Sequence, residues 1–240
     1  MMGKLIGGGV SFIIVIINLI LKIVIIASIT WVGEDTNSEQ LSSITNGVFA
    51  AQFFNTGILL VLVNANLSEH DPLFVTKYIK GPFYDYMPIW YAEVGEKLVQ
   101  TMLIQAIVPY ITLCAGFAVP WLKRKIDRGL CSKDEYKTKK TSMAAYKDLF
   151  SGVDYVIHFK CSGVINIVWV TMMYGVGLPI LFPIAAFNFF NQYVCERITV
   201  TYQVKLPPAL DDQLTNNELS KISYAPLLFL MNGYWMLSNP

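Results

Sequence analysis

The chain is short of charge. Of its 240 residues, 15% are Asp, Glu, Lys or Arg and 54% are hydrophobic, where an average soluble domain is about 25% charged. Histidine is nearly absent: His70 and His158 are the only two. The sequence holds no H-E-x-x-H, no G-x-S-x-G and no G-x-x-x-x-G-K-[ST], so the residues that assemble hydrolytic, metalloprotease or nucleotide-phosphate chemistry are missing and an enzyme is not expected. Cys114, Cys131, Cys161 and Cys195 are widely spaced without a C-x-x-C pair, which argues against a zinc site or a disulfide framework. No metal or other cofactor is implied. A formal net charge of +1 gives no support for a nucleic-acid partner.

What is present is long apolar runs. The first, from Leu5 to Val32, is 28 residues broken only by Asn18 and Lys22; the apolar core of a signal peptide is about 7–15 residues, so the run reads as a retained membrane helix. The second, Gly47 to Val63, has 17 residues, near the lower limit for a span. The third, Leu98 to Leu122, is flanked by Trp90 and Tyr91 on one side and by Trp121 and Lys123-Arg124-Lys125 on the other, the aromatic and basic signature of the two membrane interfaces. The fourth, Val164 to Val194, is 31 uncharged residues. As one straight helix it would be about 46 Å long against about 30 Å of hydrocarbon.

Near the middle of that run lie Gly175, Gly177, Pro179 and Pro183, residues that permit a sharp turn and remove a helical donor. Two readings stand: a pair of short helices forming a re-entrant hairpin, or one kinked and strongly tilted span. A last run, Tyr224 to Leu237, has 14 residues and reads as a clipped helix. The expected fold is therefore an all-α, polytopic membrane bundle forming a single transmembrane domain over 1–240. Its helices fall at about 5–32, 47–66, 98–122, 164–178, 179–195 and 224–238, giving three full spans, a re-entrant hairpin and a partial C-terminal helix.

Orientation follows from the basic residues. Ten of the 18 Lys and Arg residues lie between Lys123 and Lys160, which places the loop 123–160 in the cytoplasm. The third helix then runs inward, about 67–96 is external, and the acidic loop around Glu34, Asp35 and Glu39 is internal. A hairpin at 164–194 returns Arg197, Lys205 and Lys221 to the cytoplasm, whereas a single span sends them outside. The sequon Asn66-Leu67-Ser68 falls on the external side.

Polar residues within the apolar runs carry the functional reading. The third helix has Glu93, Lys97, Gln100, Thr101, Gln105 and Thr112 near one face. The second half of the hairpin has Asn188, Asn191, Gln192 and Glu196; the second helix has Gln52 and Asn55, and the first Asn18 and Lys22. Such residues either bond neighbouring helices together or line a conduit. The basic loop, for its part, is a solvated surface or a site for anionic lipid headgroups.

The stretch from Tyr174 through Lys205, YGVGLPILFPIAAFNFFNQYVCERITVTYQVK, resembles the late transmembrane region of the OSCA-type channels. These are osmotically or mechanically gated, calcium-permeable cation channels, distantly related to the anoctamins, which conduct chloride or scramble lipids. The shared pattern is a short apolar helix, a proline pair spaced like Pro179 and Pro183, a second apolar helix, then a tyrosine, a basic residue and a polar tail. Upstream, Trp90-Tyr91-Ala92-Glu93-Val94-Gly95-Glu96-Lys97-Leu98 is similar to the glycine–glutamate stretch of that family's pore-lining helix. The resemblance implies a channel whose pore-lining candidates are Glu96, Gln100, Thr101, Gln105, Thr112, Asn188, Asn191 and Gln192. Glu96 would favour cations at the outer mouth and the amides would partly replace an ion's hydration shell. The implied partners are membrane lipids, permeating cations, and a second copy or another chain supplying further helices. Lipid scrambling along an open polar groove, and a non-conducting or truncated subunit, are the alternative functions.

Overall fold

The structure, a computed structural model, describes residues 16–17, 20–21, 23–34, 36–66, 81–129, 138–153, 155, 157–205 and 212–238. Every regular element among them is helical; two isolated parallel β-bridges join Ala65 to Phe83 and Val153 to Val204. Two helical stretches, Ser38–Asn64 and Pro88–Arg128, are long and apolar enough to cross a membrane, and Ile23–Val32 and Phe159–Tyr174 are shorter apolar helices. The expected count of three full spans therefore exceeds what the described residues carry.

Helix α1, Ile23–Val32, lies in the first run; residues 1–15, Asn18 and Lys22 lie outside the described residues, as do Asp35 and the sequon's Leu67 and Ser68. Gly33 closes α1 at φ 75°, its N–H donating to the Ile29 carbonyl at 3.1 Å, a left-handed stop that suits glycine. Helix α2, Asn37–Phe53, begins well before the expected boundary at 47 because Thr36 caps it, accepting from the Glu39 N–H at 3.2 Å. It passes through a π turn, Phe54–Ile58, into α3, Leu59–Asn64.

Helix α4, Pro88–Trp90, opens on a proline, where the missing N–H costs nothing, and leads through a second π turn, Tyr91–Gly95, into α5, Glu96–Arg128. The expected helix 98–122 is thus extended at both ends. Lys123 to Arg128 prolong it because Lys and Arg are good helix formers and their charge suits the negative end of the helix dipole. Within the basic loop lies α6, Met143–Phe150, capped by Ser142; residues 130–137, with Cys131, lie outside the described residues.

The long uncharged run is broken where the glycines and prolines stand. Helix α7 spans Ile157–Tyr174 and α8 spans Leu181–Tyr202, with a turn over 175–180. Gly175 and Gly177 are needed for close approach rather than for a left-handed backbone. A Cβ at Gly175 would sit 2.5 Å from the Thr171 carbonyl, and one at Gly177 2.5 Å from Met236 Cε and 2.8 Å from Tyr91. Pro179 lies in the turn, and Pro183 in the first turn of α8, where a helix tolerates it. Two further helices follow: α9, Gln213–Ile222, polar and unforeseen, and α10, Ala225–Leu237, close to the expected 224–238.

The chain divides into two compact units. Unit 1 comprises Met1–Gln105, Ile157–Phe187 and Leu210–Pro240; unit 2 comprises Ala106–Val156 and Asn188–Ala209. In unit 1, α7 packs against α2, α9 and α10. Its core includes Val48, Val94, Leu98, Met102, Ile165, Val170 and Tyr174, all essentially inaccessible. Trp169 meets Phe49 and Phe53 edge to face at 5.1 and 5.2 Å, pairs worth about 0.5–1.5 kcal/mol each beyond their buried area. In unit 2, the end of α8 lies beside the basic segment: the Val153 N–H donates to the Gln203 carbonyl at 2.9 Å and the Lys205 N–H to the Val153 carbonyl at 3.1 Å.

Candidate functional site

The sequence-derived candidates fall in both units. In unit 1 the buried stripe of α4, the π turn and α5 is Trp90, Val94, Leu98 and Met102. The polar residues flank it: Glu93 and Glu96 are exposed, Lys97, Gln100 and Gln105 half-buried. Glu96 accepts from Gln100 Nε2 at 3.0 Å, one turn along the same helix. Thr101 is buried and its hydroxyl donates back to the Lys97 carbonyl at 2.8 Å, the usual way a threonine is satisfied on an apolar helix.

In unit 2, Thr112 is exposed and donates to the Pro109 carbonyl at 2.8 Å. Asn191 is buried and joins two helices: its Nδ2 donates to the Ala106 carbonyl at 3.2 Å and its Oδ1 accepts from the Tyr110 hydroxyl at 2.8 Å. Gln203 does similar work, donating to the Leu113 carbonyl at 2.8 Å. Gln192 is half-buried. Asn188 is buried, and its Nδ2 has no partner among the described residues.

Unit 1 holds a buried polar seam that the sequence reading largely passed over. Helix α2 and its π turn bury Thr45, Gln52, Asn55 and Thr56; α7 buries Ser162, Asn166 and Thr171. Positions 45, 52 and 56 recur at i, i+7 and i+11, one face of a helix, and Phe49 and Phe53 on that side meet Trp169 of α7. Asn166 Oδ1, Thr171 Oγ1 and Trp169 Nε1 are buried without a hydrogen-bond partner among the described residues. The π turn is itself anchored by α7: the Tyr174 hydroxyl donates to the Gly57 carbonyl at 2.7 Å. π turns inside α-helices concentrate at functional sites. Gln52 and Asn55 stand out in the sequence as a polar pair one turn apart; Asn166 and Thr171 are polar residues in an uncharged run, but nothing in their spacing marks them.

Two features frame the seam. Helix α9 docks on α2 through Asn217 Nδ2, which donates to Ser42 Oγ at 2.9 Å, and through Lys221, which donates to Asn46 Oδ1. Burial pushes the Glu218 carboxyl above its ordinary value, with the Cys161 thiol and the Lys221 charge opposing; burial likewise lowers Lys221 against the pull of Glu218. In the second feature, the Tyr86 hydroxyl donates to Asn232 Oδ1 at 3.1 Å, and Asn232 Nδ2 donates to the Met173 carbonyl near the end of α7. Burial raises Tyr86 to about 12, a bond to Asn232 opposing. No group of three or more His, Cys, Asp or Glu with metal-holding geometry occurs among the described residues. Compared with protein-family models, with curated proteins and with solved structures, the chain matches none.

Proposed function

We propose that the chain is a multi-pass, channel-like membrane protein that conducts cations, calcium among them, in response to membrane tension, and that the polar seam between α2 and α7 borders the conduit. The observation that carries this reading is the pair of buried oxygens Asn166 Oδ1 and Thr171 Oγ1 on α7, which have no hydrogen-bond partner among the described residues. Such an atom costs about 1–3 kcal/mol when left unpaired in a protein interior. A partly dehydrated cation offsets that cost, because neutral oxygens replace part of its water shell.

The surrounding features agree. Two helices have the length and composition of membrane spans, and the apolar window of Pro88–Arg128 is only 11% buried, leaving apolar surface for acyl chains or further helices. The end of α8 lies beside the basic segment, as a re-entrant hairpin requires. The stretches 90–98 and 174–205 supply the resemblance to tension- and osmotically gated channels.

The test is reconstitution of the full chain into phosphatidylcholine liposomes, with stretch-activated current and dithionite lipid-flip measured in parallel. A stretch-activated cation current above that of empty vesicles is expected. Asn166→Leu should lower it by about tenfold while leaving the melting temperature unchanged or higher, because an apolar side chain replaces an amide whose buried oxygen has no partner among the described residues. Absence of current in the wild type, or full current in Asn166→Leu, refutes the seam as the conduit; lipid flip without current moves the function to scrambling.

A further inference from the structure

Unit 2 contains a cavity of about 740 Å³ at the C-terminal end of α5, within the roughly 300–1,000 Å³ range of small-ligand sites. Four lysines line it, Lys123, Lys139, Lys140 and Lys205, against two aspartates, Asp127 and Asp148. We infer that this cavity is a binding site for a phosphate-bearing anion at the cytoplasmic face of the membrane, of the inositol-phosphate class.

The cavity is assembled by contacts that leave its basic residues in place. Asp127 is buried and engaged: it accepts from Thr138 Oγ1 at 2.6 Å and from the Lys139 N–H at 3.2 Å. Its carboxylate therefore tethers the segment carrying Lys139 and Lys140 to α5 instead of facing an incoming anion unopposed. Arg124 holds α6 from the other side, donating from Nε to the Leu149 carbonyl at 3.1 Å with its guanidinium 4.9 Å from the Phe150 ring centroid. The backbone pairing of Val153 with Val204 brings Lys205 to the same cavity. Lysines are compact point charges suited to phosphate, and several converging on one space favour a multiply charged ligand over a single carboxylate.

The position supports the same chemistry. Lys125 lies 4.7 Å over the ring of Trp121, one turn before it on α5, the aromatic and basic pairing of a membrane interface. Val119 and Leu149 add apolar lining to the cavity, so a headgroup with its glycerol end or a free inositol phosphate would both be accommodated. A basic pocket on the cytoplasmic side of a transmembrane helix is where anionic headgroups bind.

The experiment titrates the full chain, in a neutral detergent, with short-chain phosphatidylinositol bisphosphate and separately with inositol trisphosphate, reading the melting temperature and the dissociation constant. Lys123→Gln combined with Lys140→Gln should weaken binding by about tenfold or more per charge removed. Ala145→Trp fills the cavity at constant charge and should abolish binding, whereas Arg128→Gln, equally basic but outside the cavity, should change it less than about twofold. Melting of each variant without ligand reports its folding, and the charge variants decide the matter if the tryptophan does not fit. Binding of either probe that is lost in this pattern carries the assignment: preference for the lipid names the bilayer as the source, and equal affinity names the phosphates alone. Binding of neither probe overturns it, as does a loss in Arg128→Gln as large as in the cavity variants, which would mark a diffuse surface charge.

Discussion

At single residues the chain handles buried polarity in two distinct ways. Thr101 and Asn191 are satisfied by carbonyls and a hydroxyl of the helices they sit on or face, so they hold the fold together. Asn166 Oδ1 and Thr171 Oγ1 have no such partner among the described residues, and that is what sets them apart from polar residues that only pack. Glu218 shows the electrostatic counterpart. Burial raises its pKa above the ordinary 4.5, while the Cys161 thiol and Lys221 pull it down without cancelling the rise. A carboxyl whose folded pKa is raised favours the folded state when protonated: its contribution is fully present below about pH 4.5 and is lost as pH rises through the folded value. Glu218→Gln keeps the shape and removes the ionisation cost. The variant should therefore melt higher than the wild type at pH 7, with the difference closing below pH 4.5 in melts taken in detergent. A lower melting temperature at pH 7 would show that the attraction to Lys221 outweighs burial.

Among the elements, helix ends separate what hydropathy can reveal from what it cannot. Helix α2 starts at Asn37 rather than at 47 because Thr36 caps it, and Thr36-Asn37-Ser38-Glu39 is a capping-box pattern present in the sequence. Thr36→Ala should cost about 1 kcal/mol, read as a lower melting temperature and faster amide exchange in the first turn of α2. Unchanged exchange there would mean that packing against α7 alone sets the start of the helix. The break between α7 and α8 was legible because glycine and proline have local consequences that need no neighbour. Helix α10 was legible because 14 apolar residues have few alternatives. Helix α9 was not, because its residues are polar and its helicity rests on docking to α2 and α7. The buried face of α5 was not legible either. Its polar residues share a face, but whether that face points inward depends on neighbours hundreds of atoms away in the chain, and in unit 1 the burial falls on Trp90, Val94, Leu98 and Met102, with only Thr101 of the polar set among them. The seam escaped for the same reason: Asn166 becomes exceptional only because no described residue packed around it completes the bonding of its Oδ1.

For the molecule as a whole, the decisive question is which side of the membrane each end of the long uncharged run occupies. Length and the glycine–proline break leave a hairpin and a tilted span both standing, and charge placement favours the hairpin. Within unit 2 the backbone bonds from Val153 to Gln203 and from Lys205 to Val153 bind the end of α8 to the basic segment, and a bilayer cannot separate residues joined in this way. If the proposed topology holds, with the basic segment in the cytoplasm by its charge, Lys205 lies there too. In a cysteine-free background, Lys147→Cys and Lys205→Cys should therefore both react with a membrane-impermeant maleimide from the cytoplasmic side of sealed vesicles and from that side only. Cys114, restored alone, makes the complementary test. It is exposed on α5, and if that surface meets acyl chains as the low burial of the Pro88–Arg128 window implies, it should resist the reagent from both sides until detergent is added. Labelling of positions 147 and 205 from opposite sides would exclude the hairpin. Rapid labelling of Cys114 in the intact vesicle would instead turn that face of α5 toward water, relocating the conduit from the seam of unit 1 to the outer surface of α5.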